Sequence, residues 1–94
     1  MIVVRNTFQA KPGQAGKLAA TIKDAANALE LPSFRVMTDL VGEFNTVVFE
    51  YDAENLAAFE SRMKDYVTNP ILREKFKGYT ELWDSGKREL FQVV

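Results

Sequence analysis

Two arginines stand at positions where a half-buried β-strand would ordinarily carry an apolar side chain. Arg5 lies in the first alternating segment of the chain and Arg35 in the second, each on the more polar of the two faces. Two guanidinium groups on the same sheet could clamp a carboxylate or an enolate through bidentate hydrogen bonds. The alternative is that both arginines form salt bridges with Glu50 or Glu89 on the same face.

Four further side chains could take part in chemistry at one cavity. Glu50 could act as a general base if burial raised its pKa, or it could be an arginine partner whose pKa is lowered. Tyr66 could place its hydroxyl at the mouth of a pocket, or it could belong to the core or the surface. Tyr79 and Trp83 could form an aromatic lid, or they could pack a loop against the sheet or a partner subunit. The predicted ligand-binding residues are therefore Arg5, Arg35, Tyr79 and Trp83, and the weaker catalytic candidates are Glu50 and Tyr66.

The composition excludes several classes of function. The 94 residues include no cysteine and no histidine, which removes disulfides, thiolate catalysis, a histidine-assisted serine nucleophile and the usual metal ligands. The segment 12–17 lacks the spacing of a phosphate-binding loop. With 12 basic and 13 acidic residues, the net charge of −1 indicates neither nucleic-acid nor anionic-membrane binding. We expect no metal and no cofactor, and we expect a soluble cytoplasmic protein because no signal-peptide core or bilayer-length apolar run is present.

The hydrophobic pattern predicts one α+β domain over residues 1–94. Asp52 is predicted to cap the second helix, Asn69 and Pro70 to start the third, and residues 84–86 to form a turn. The third helix is expected to stop at Gly78, and 79–83 is the least defined stretch. The predicted strands are 1–9, 34–41, 46–51 and 88–94, and the predicted helices are 13–29, 53–66 and 70–77.

The order of elements consists of two strand–helix–strand halves joined near Gly42. Right-handed crossovers would place all helices on one face of a four-stranded antiparallel sheet, with the first strand in a central position. Every strand nevertheless carries apolar groups on both faces, including Val3, Met37, Val48 and either Leu90 or Phe91. A second copy of the chain could cover the helix-free face, giving a two-fold homodimer. Charges buried there would need partners, so we expect pairing between the arginines and glutamates described above.

Three features of the sequence belong together: the βαββαβ order, the paired helices of the second half, and the C-terminal run Tyr79…Leu82…Ser85-Gly86-Lys87-Arg88-Glu89-Leu90. With these features the chain resembles the dimeric α/β-barrel superfamily, and within it the NIPSNAP-like branch. The superfamily also includes antibiotic-biosynthesis monooxygenases. The resemblance implies a ferredoxin-like fold, a homodimer formed through the sheet face, and a cavity between sheet and helices that takes a small molecule. Haem enzymes of this superfamily hold iron through a histidine, which this chain lacks.

Three functions follow from this resemblance. The first is a NIPSNAP-like protein that binds a small aromatic or anionic organic molecule in the cavity between sheet and helices. The second is a cofactor-independent monooxygenase or isomerase that uses the same cavity; relatives of this type orient their substrates with asparagine, arginine, tyrosine and tryptophan. The third is a non-catalytic oligomeric interaction module with a filled core. A filled cavity with Arg5 and Arg35 fully paired favours the third function, whereas an open pocket lined by an unpaired arginine and a tyrosine or tryptophan favours the first two.

Overall fold

The computed structural model describes all 94 residues. The central strands of the sheet are longer than the outer strand β2, and a short 3-10 helix at Tyr79–Leu82 leads into the last strand. The strands are β1 (Ile2–Ala10), β2 (Phe34–Thr38), β3 (Thr46–Ala53) and β4 (Trp83–Gln92), and the α-helices are α1 (Ala15–Ala28), α2 (Leu56–Thr68) and α3 (Pro70–Lys75).

The four strands form one antiparallel sheet in the order β2-β3-β1-β4, which places β1 in a central position as predicted. The helices cover one face of this sheet, and the other face carries none. Helix α1 lies against β2 and β3, and it also contacts α3. The predicted ferredoxin-like α+β fold is therefore confirmed.

The core lies between the sheet and α1. Leu18 and Ile22 of α1 are almost fully buried against Val47 of β3, and Ala26 packs beside Val4 of β1. The small alanines of α1 let the helix approach the sheet closely. Each fully buried aliphatic side chain contributes about 1.5–3 kcal/mol of transfer free energy, so this layer supplies much of the stability of the domain.

The predicted N-cap of the second helix is wrong. Asp52 remains in β3, where it pairs with Val3 of β1, because the antiparallel ladder extends the strand to Ala53. Asn55 caps α2 instead, and its side-chain oxygen accepts a hydrogen bond of 2.9 Å from the backbone N–H of Ala58. The predicted cap of α3 is confirmed, since the Asn69 side chain accepts from the first two amides that follow Pro70.

The predicted turn at residues 84–86 is also wrong, because these residues belong to β4. Gly86 lies opposite Phe8, and a Cβ atom at this position would come within 3.2 Å of the Phe8 ring. The glycine therefore permits close packing of a side chain across the strand pair rather than a reversal of the chain. Strand β2 ends at Thr38, three residues earlier than predicted, and the hairpin tip beyond it exposes Leu40 and Val41.

The helix-free face of the sheet, called the open face below, carries the apolar groups that the alternation predicts. Val3 lies opposite Phe91 of β4, and Val48 lies opposite Met37 of β2. Phe91 rather than Leu90 belongs to this face, and its side chain is 42% exposed. The open face thus carries two apolar patches with the row of charged residues described next between them.

Candidate functional site

Glu50 lies in the middle of the open face between two arginines. The register places Arg35, Glu50 and Arg5 side by side on β2, β3 and β1. Arg5 Nε donates to Glu50 Oε1 at 2.6 Å, and Arg35 Nε donates to Oε2 at 2.8 Å. The expected arginine–glutamate pairing is confirmed for these three residues, whereas Glu89 is nearest to Lys87, at 3.6 Å.

This arrangement determines the ionisation of Glu50. Burial by itself would raise the pKa of Glu50, but the hydrogen bonds and charges of Arg35 and Arg5 outweigh burial and lower it below its ordinary value. The carboxylate is consequently ionised at neutral pH and both of its oxygens are occupied. The interpretation of Glu50 as an arginine partner is favoured over a general base, which would need a raised pKa.

A cavity of about 90 Å³ lies on the opposite side of the sheet, beneath the helices. Its walls are mostly apolar, with side chains from β1, β3, β4, α1 and α2 and from the segments after α1 and α3. Tyr66 lines it, whereas Arg5 and Arg35 do not, because both project from the open face. The lining residues are Asn6, Phe8, Ile22, Ala25, Ala26, Leu29, Leu31, Phe49, Tyr51, Arg62, Met63, Tyr66, Phe76 and Arg88.

Two arginines that sequence reasoning missed supply the charge of this cavity. Arg88 Nε donates to the side-chain oxygen of Asn6 at 2.7 Å, which fixes the guanidinium against β1. Arg62 of α2 approaches from the helix side. Neither arginine forms a salt bridge, and no aspartate or glutamate lines the cavity. The cavity therefore holds two cationic groups with no anionic partner.

Tyr51 adds an unpartnered hydroxyl. The residue is only 7% exposed, it lines the cavity, and its hydroxyl makes no hydrogen bond within the chain. Burial raises the pKa of Tyr51, although the charges of Arg88 and Arg62 act in the opposite direction. The pKa of Tyr66 is raised by burial and by its hydrogen bond with Tyr79. Both phenols are thus neutral hydrogen-bond donors at physiological pH.

Tyr79 and Trp83 lie behind the cavity wall rather than on its surface. The hydroxyls of Tyr66 and Tyr79 are 3.4 Å apart, and the ring of Trp83 packs edge-on against Phe8 with 5.3 Å between ring centroids. Phe76 lies between Tyr66 and Tyr79. These rings support the residues that line the cavity. The ligand-binding roles of Arg5, Arg35, Tyr79 and Trp83, and the catalytic roles of Glu50 and Tyr66, remain predictions.

Part of this site was visible in the sequence. Asn6 belongs to the otherwise apolar face of the first strand, where a polar group needs a partner. Arg62 lies between Phe59, Met63 and Tyr66 at spacings that share one face of a helix. Arg88 had no such signal, because its position beside Asn6 depends on the pairing of strands 82 residues apart.

No group of acidic side chains in the structure is arranged to hold a metal ion. None of the helices has the length and apolar character that crossing a bilayer would require.

Comparison with known proteins supports the fold. No family model and no curated protein matches the sequence. Among solved structures, a NIPSNAP family protein from Agrobacterium tumefaciens superposes with a TM-score of 0.86 at 11% identity, covering 99% of this chain and 92% of that one. An uncharacterised NIPSNAP domain protein from Burkholderia xenovorans gives 0.83 at 13% identity over 100% and 95%. An antibiotic biosynthesis monooxygenase gives 0.74 at 12% identity over 100% and 99%. The chain thus has the ferredoxin-like fold of NIPSNAP and monooxygenase-like proteins, as its resemblance to them predicts.

Proposed function

We propose that this protein binds a small organic anion in the cavity between its sheet and its helices. The observation that carries the proposal is the pair Arg62 and Arg88, two cations that line an apolar cavity with no carboxylate to neutralise them. Arg62 is half-buried and Arg88 is exposed, so burial limits the hydration of Arg62 more than that of Arg88, while neither charge is paired. An anionic ligand would neutralise them, and the apolar walls would accept its hydrocarbon part.

The proposal includes a homodimer formed through the open face. Val3 and Phe91 form one apolar patch on this face, and Met37 and Val48 form another on the opposite side of the charged row around Glu50. Arg5 lies 5.1 Å above the Phe91 ring. Exposed apolar patches next to a charged row whose glutamate is already paired are compatible with a protein–protein contact surface. The Glu50 cluster is already paired within one subunit, so it could enter the interface without needing ion pairs from its partner. We place the protein in the cytoplasm, in keeping with its lack of cysteine.

A second candidate is catalysis by a cofactor-independent monooxygenase or isomerase. The favouring observation is that Arg62, Arg88 and Tyr51 present positive charge or a free hydroxyl to one cavity, which is the arrangement that stabilises negative charge developing on oxygen. No side chain of the lining can serve as a carboxylate or imidazole base. A substrate would therefore have to ionise readily by itself. The third candidate, a non-catalytic interaction module, requires that the cavity bind no small molecule.

The test is a ligand-observed NMR screen of single-ring aromatic anions and their neutral counterparts against the wild-type protein. We expect anions to bind and the Arg88→Met variant to lose this binding. Arg35→Met is the matched control, because Arg35 is an arginine on the opposite face of the sheet, and we expect it to bind as the wild type does. Loss of binding in Arg35→Met with retention in Arg88→Met would refute the cavity and support the open face.

A further inference from the structure

Building on the proposed function, we infer that the ligand is a small carboxylate whose two oxygens are received by Arg62 and Arg88, with Tyr51 and Asn6 as additional donors. The inference concerns the chemical class and the size of the ligand. It rests on the hydrogen-bonding character of the polar end of the cavity and on the volume of the apolar part.

The polar end offers more donors than acceptors, because guanidinium groups only donate whereas the Tyr51 hydroxyl both donates and accepts. Asn6 is 7% exposed, and its side-chain oxygen is occupied by Arg88, so its amide nitrogen is the group left for a ligand. Tyr51 is equally buried, and its hydroxyl has no partner. Only Nε of Arg88 is used within the chain, which leaves its terminal nitrogens available. A ligand that accepts several hydrogen bonds therefore fits this end better than a ligand that mainly donates.

A carboxylate fits these donors better than other oxygen-containing groups. Its two oxygens carry about four acceptor sites, enough to receive a bond from each guanidinium and still accept from Tyr51 and Asn6. A phenolate offers a single oxygen, so two cations would compete for it. A phosphate monoester brings up to two charges and a third oxygen, and its desolvation in a mostly apolar cavity is more costly. A neutral amide leaves both arginines without a counter-charge.

The volume restricts the hydrocarbon part. At about 90 Å³ the cavity is smaller than the roughly 150 Å³ apolar cavity that accommodates benzene. Ala25 and Ala26 of α1 are both buried where the helix approaches the sheet, so this wall does not yield by rotating a side chain. A short aliphatic chain fits within this volume. A single aromatic ring fills it, so that the carboxylate of the ligand would lie at the opening of the cavity. A fused polycyclic body exceeds this volume and would have to extend out of the open side of the cavity or displace the Met63 side chain.

The experiment measures dissociation constants by NMR titration for butanoate, benzoate, benzamide, phenyl phosphate and 2-naphthoate. We expect butanoate and benzoate to bind at least about tenfold more tightly than benzamide, since a neutral amide lacks the charge that strengthens hydrogen bonds to the guanidinium groups. We expect them to bind more tightly than phenyl phosphate, because of its desolvation cost, and than 2-naphthoate, because of its size. Tyr51→Phe, which removes one hydroxyl and no internal hydrogen bond, is expected to weaken benzoate about fivefold. Tyr79→Phe is the matched control and is expected to leave benzoate affinity unchanged, because its hydroxyl lies behind the wall.

The outcomes separate the two levels of the proposal. If 2-naphthoate or phenyl phosphate binds more tightly than benzoate and Arg88→Met abolishes this binding, the anion-binding function stands and the small-carboxylate inference is overturned. If benzamide binds as well as benzoate and Arg88→Met changes neither, both are overturned. Absence of binding by all five compounds likewise overturns the inference. Equal weakening by Tyr51→Phe and Tyr79→Phe would remove Tyr51 from the site.

Discussion

The Glu50 cluster allows one prediction to be worked through from its geometry. In Glu50→Gln the side chain keeps its shape, but it loses its charge and one of its two accepting oxygens. The new amide nitrogen then faces one of the two guanidinium donors. In the wild type, Arg5 donates to Oε1 at 2.6 Å and Arg35 donates to Oε2 at 2.8 Å. The substitution therefore replaces two charge-assisted hydrogen bonds with one weaker bond and one donor–donor contact.

The expected cost follows from the exposure of the partners. A hydrogen bond to a charged group contributes about 1.5–3 kcal/mol. Glu50 is buried, but the side chains of Arg5 and Arg35 are 42% and 69% exposed, so water can solvate them again when the carboxylate is lost. We therefore expect Glu50→Gln to lower the free energy of unfolding by about 2 kcal/mol, near the low end of that range. For a domain of this size the melting temperature falls by about 4–8 °C per kcal/mol, which gives a decrease of about 8–16 °C.

The same cluster makes stability depend on pH. Folding lowers the pKa of Glu50 below its ordinary value of 4.5, so the unfolded chain takes up a proton first as the pH falls. The contribution of Glu50 is complete above the unfolded pKa and is lost as the pH falls from about 5 through the folded pKa. Between pH 7 and pH 3.5 the wild type should therefore lose more stability than Glu50→Gln, and the difference between the two proteins should shrink.

Thermal unfolding followed by circular dichroism at both pH values measures these effects. Two protein concentrations, tenfold apart, distinguish unfolding from dissociation of a dimer. Glu89→Gln is the matched control on the same face, since Glu89 has only a 3.6 Å contact with the exposed Lys87, and its cost should stay below about 0.5 kcal/mol. A Glu50→Gln protein that melts within 2 °C of the Glu89→Gln protein, on the order of a few tenths of a kcal/mol, would refute the reasoning.

Three further predictions concern stability alone. Leu72→Ala, at a side chain only 1% exposed, should lower the free energy of unfolding by about 2–5 kcal/mol in urea titration, whereas the same change at the 61% exposed Ile71 should cost under about 1 kcal/mol. Asn69→Ala removes the acceptor of two backbone amides at the start of α3 and should cost about 1 kcal/mol by the same titration; a neutral result would contradict its capping role. Gly78→Ala places a Cβ atom on a residue whose φ is +77° and should lower the free energy of unfolding by about 1 kcal/mol. Nothing lies within 4 Å of that Cβ atom, so the cost comes from the backbone alone, and an unchanged urea midpoint would show that the backbone relaxes there.

Much of the fold follows from local pattern. The alternation assigns the faces of the first three strands correctly but leaves that of β4 open, and the stripe of α1 predicts its buried residues Leu18 and Ile22. The errors occur where local chemistry competes with pairing. Asp52 is a good cap by type, but the ladder between β1 and β3 holds it in a strand. The Asp84–Gly86 run reads as a turn by composition, yet pairing with β1 keeps it extended.

The sequence by itself determined the four strands, the helices and the charged row around Glu50, because a period of two or of 3.6 residues and the charge of a side chain are local properties. Only the tertiary structure decided which side of the sheet carries the candidate site. Arg62, Arg88 and Tyr51 come together from a helix and two strands, and Arg88 reaches Asn6 across 82 residues of chain. Such a meeting depends on strand order, register and the placement of α2 over the sheet. A short stretch of sequence contains no information on any of these. This is why the sequence pattern singled out Arg5 and Arg35, which lie on the face of the sheet opposite the cavity.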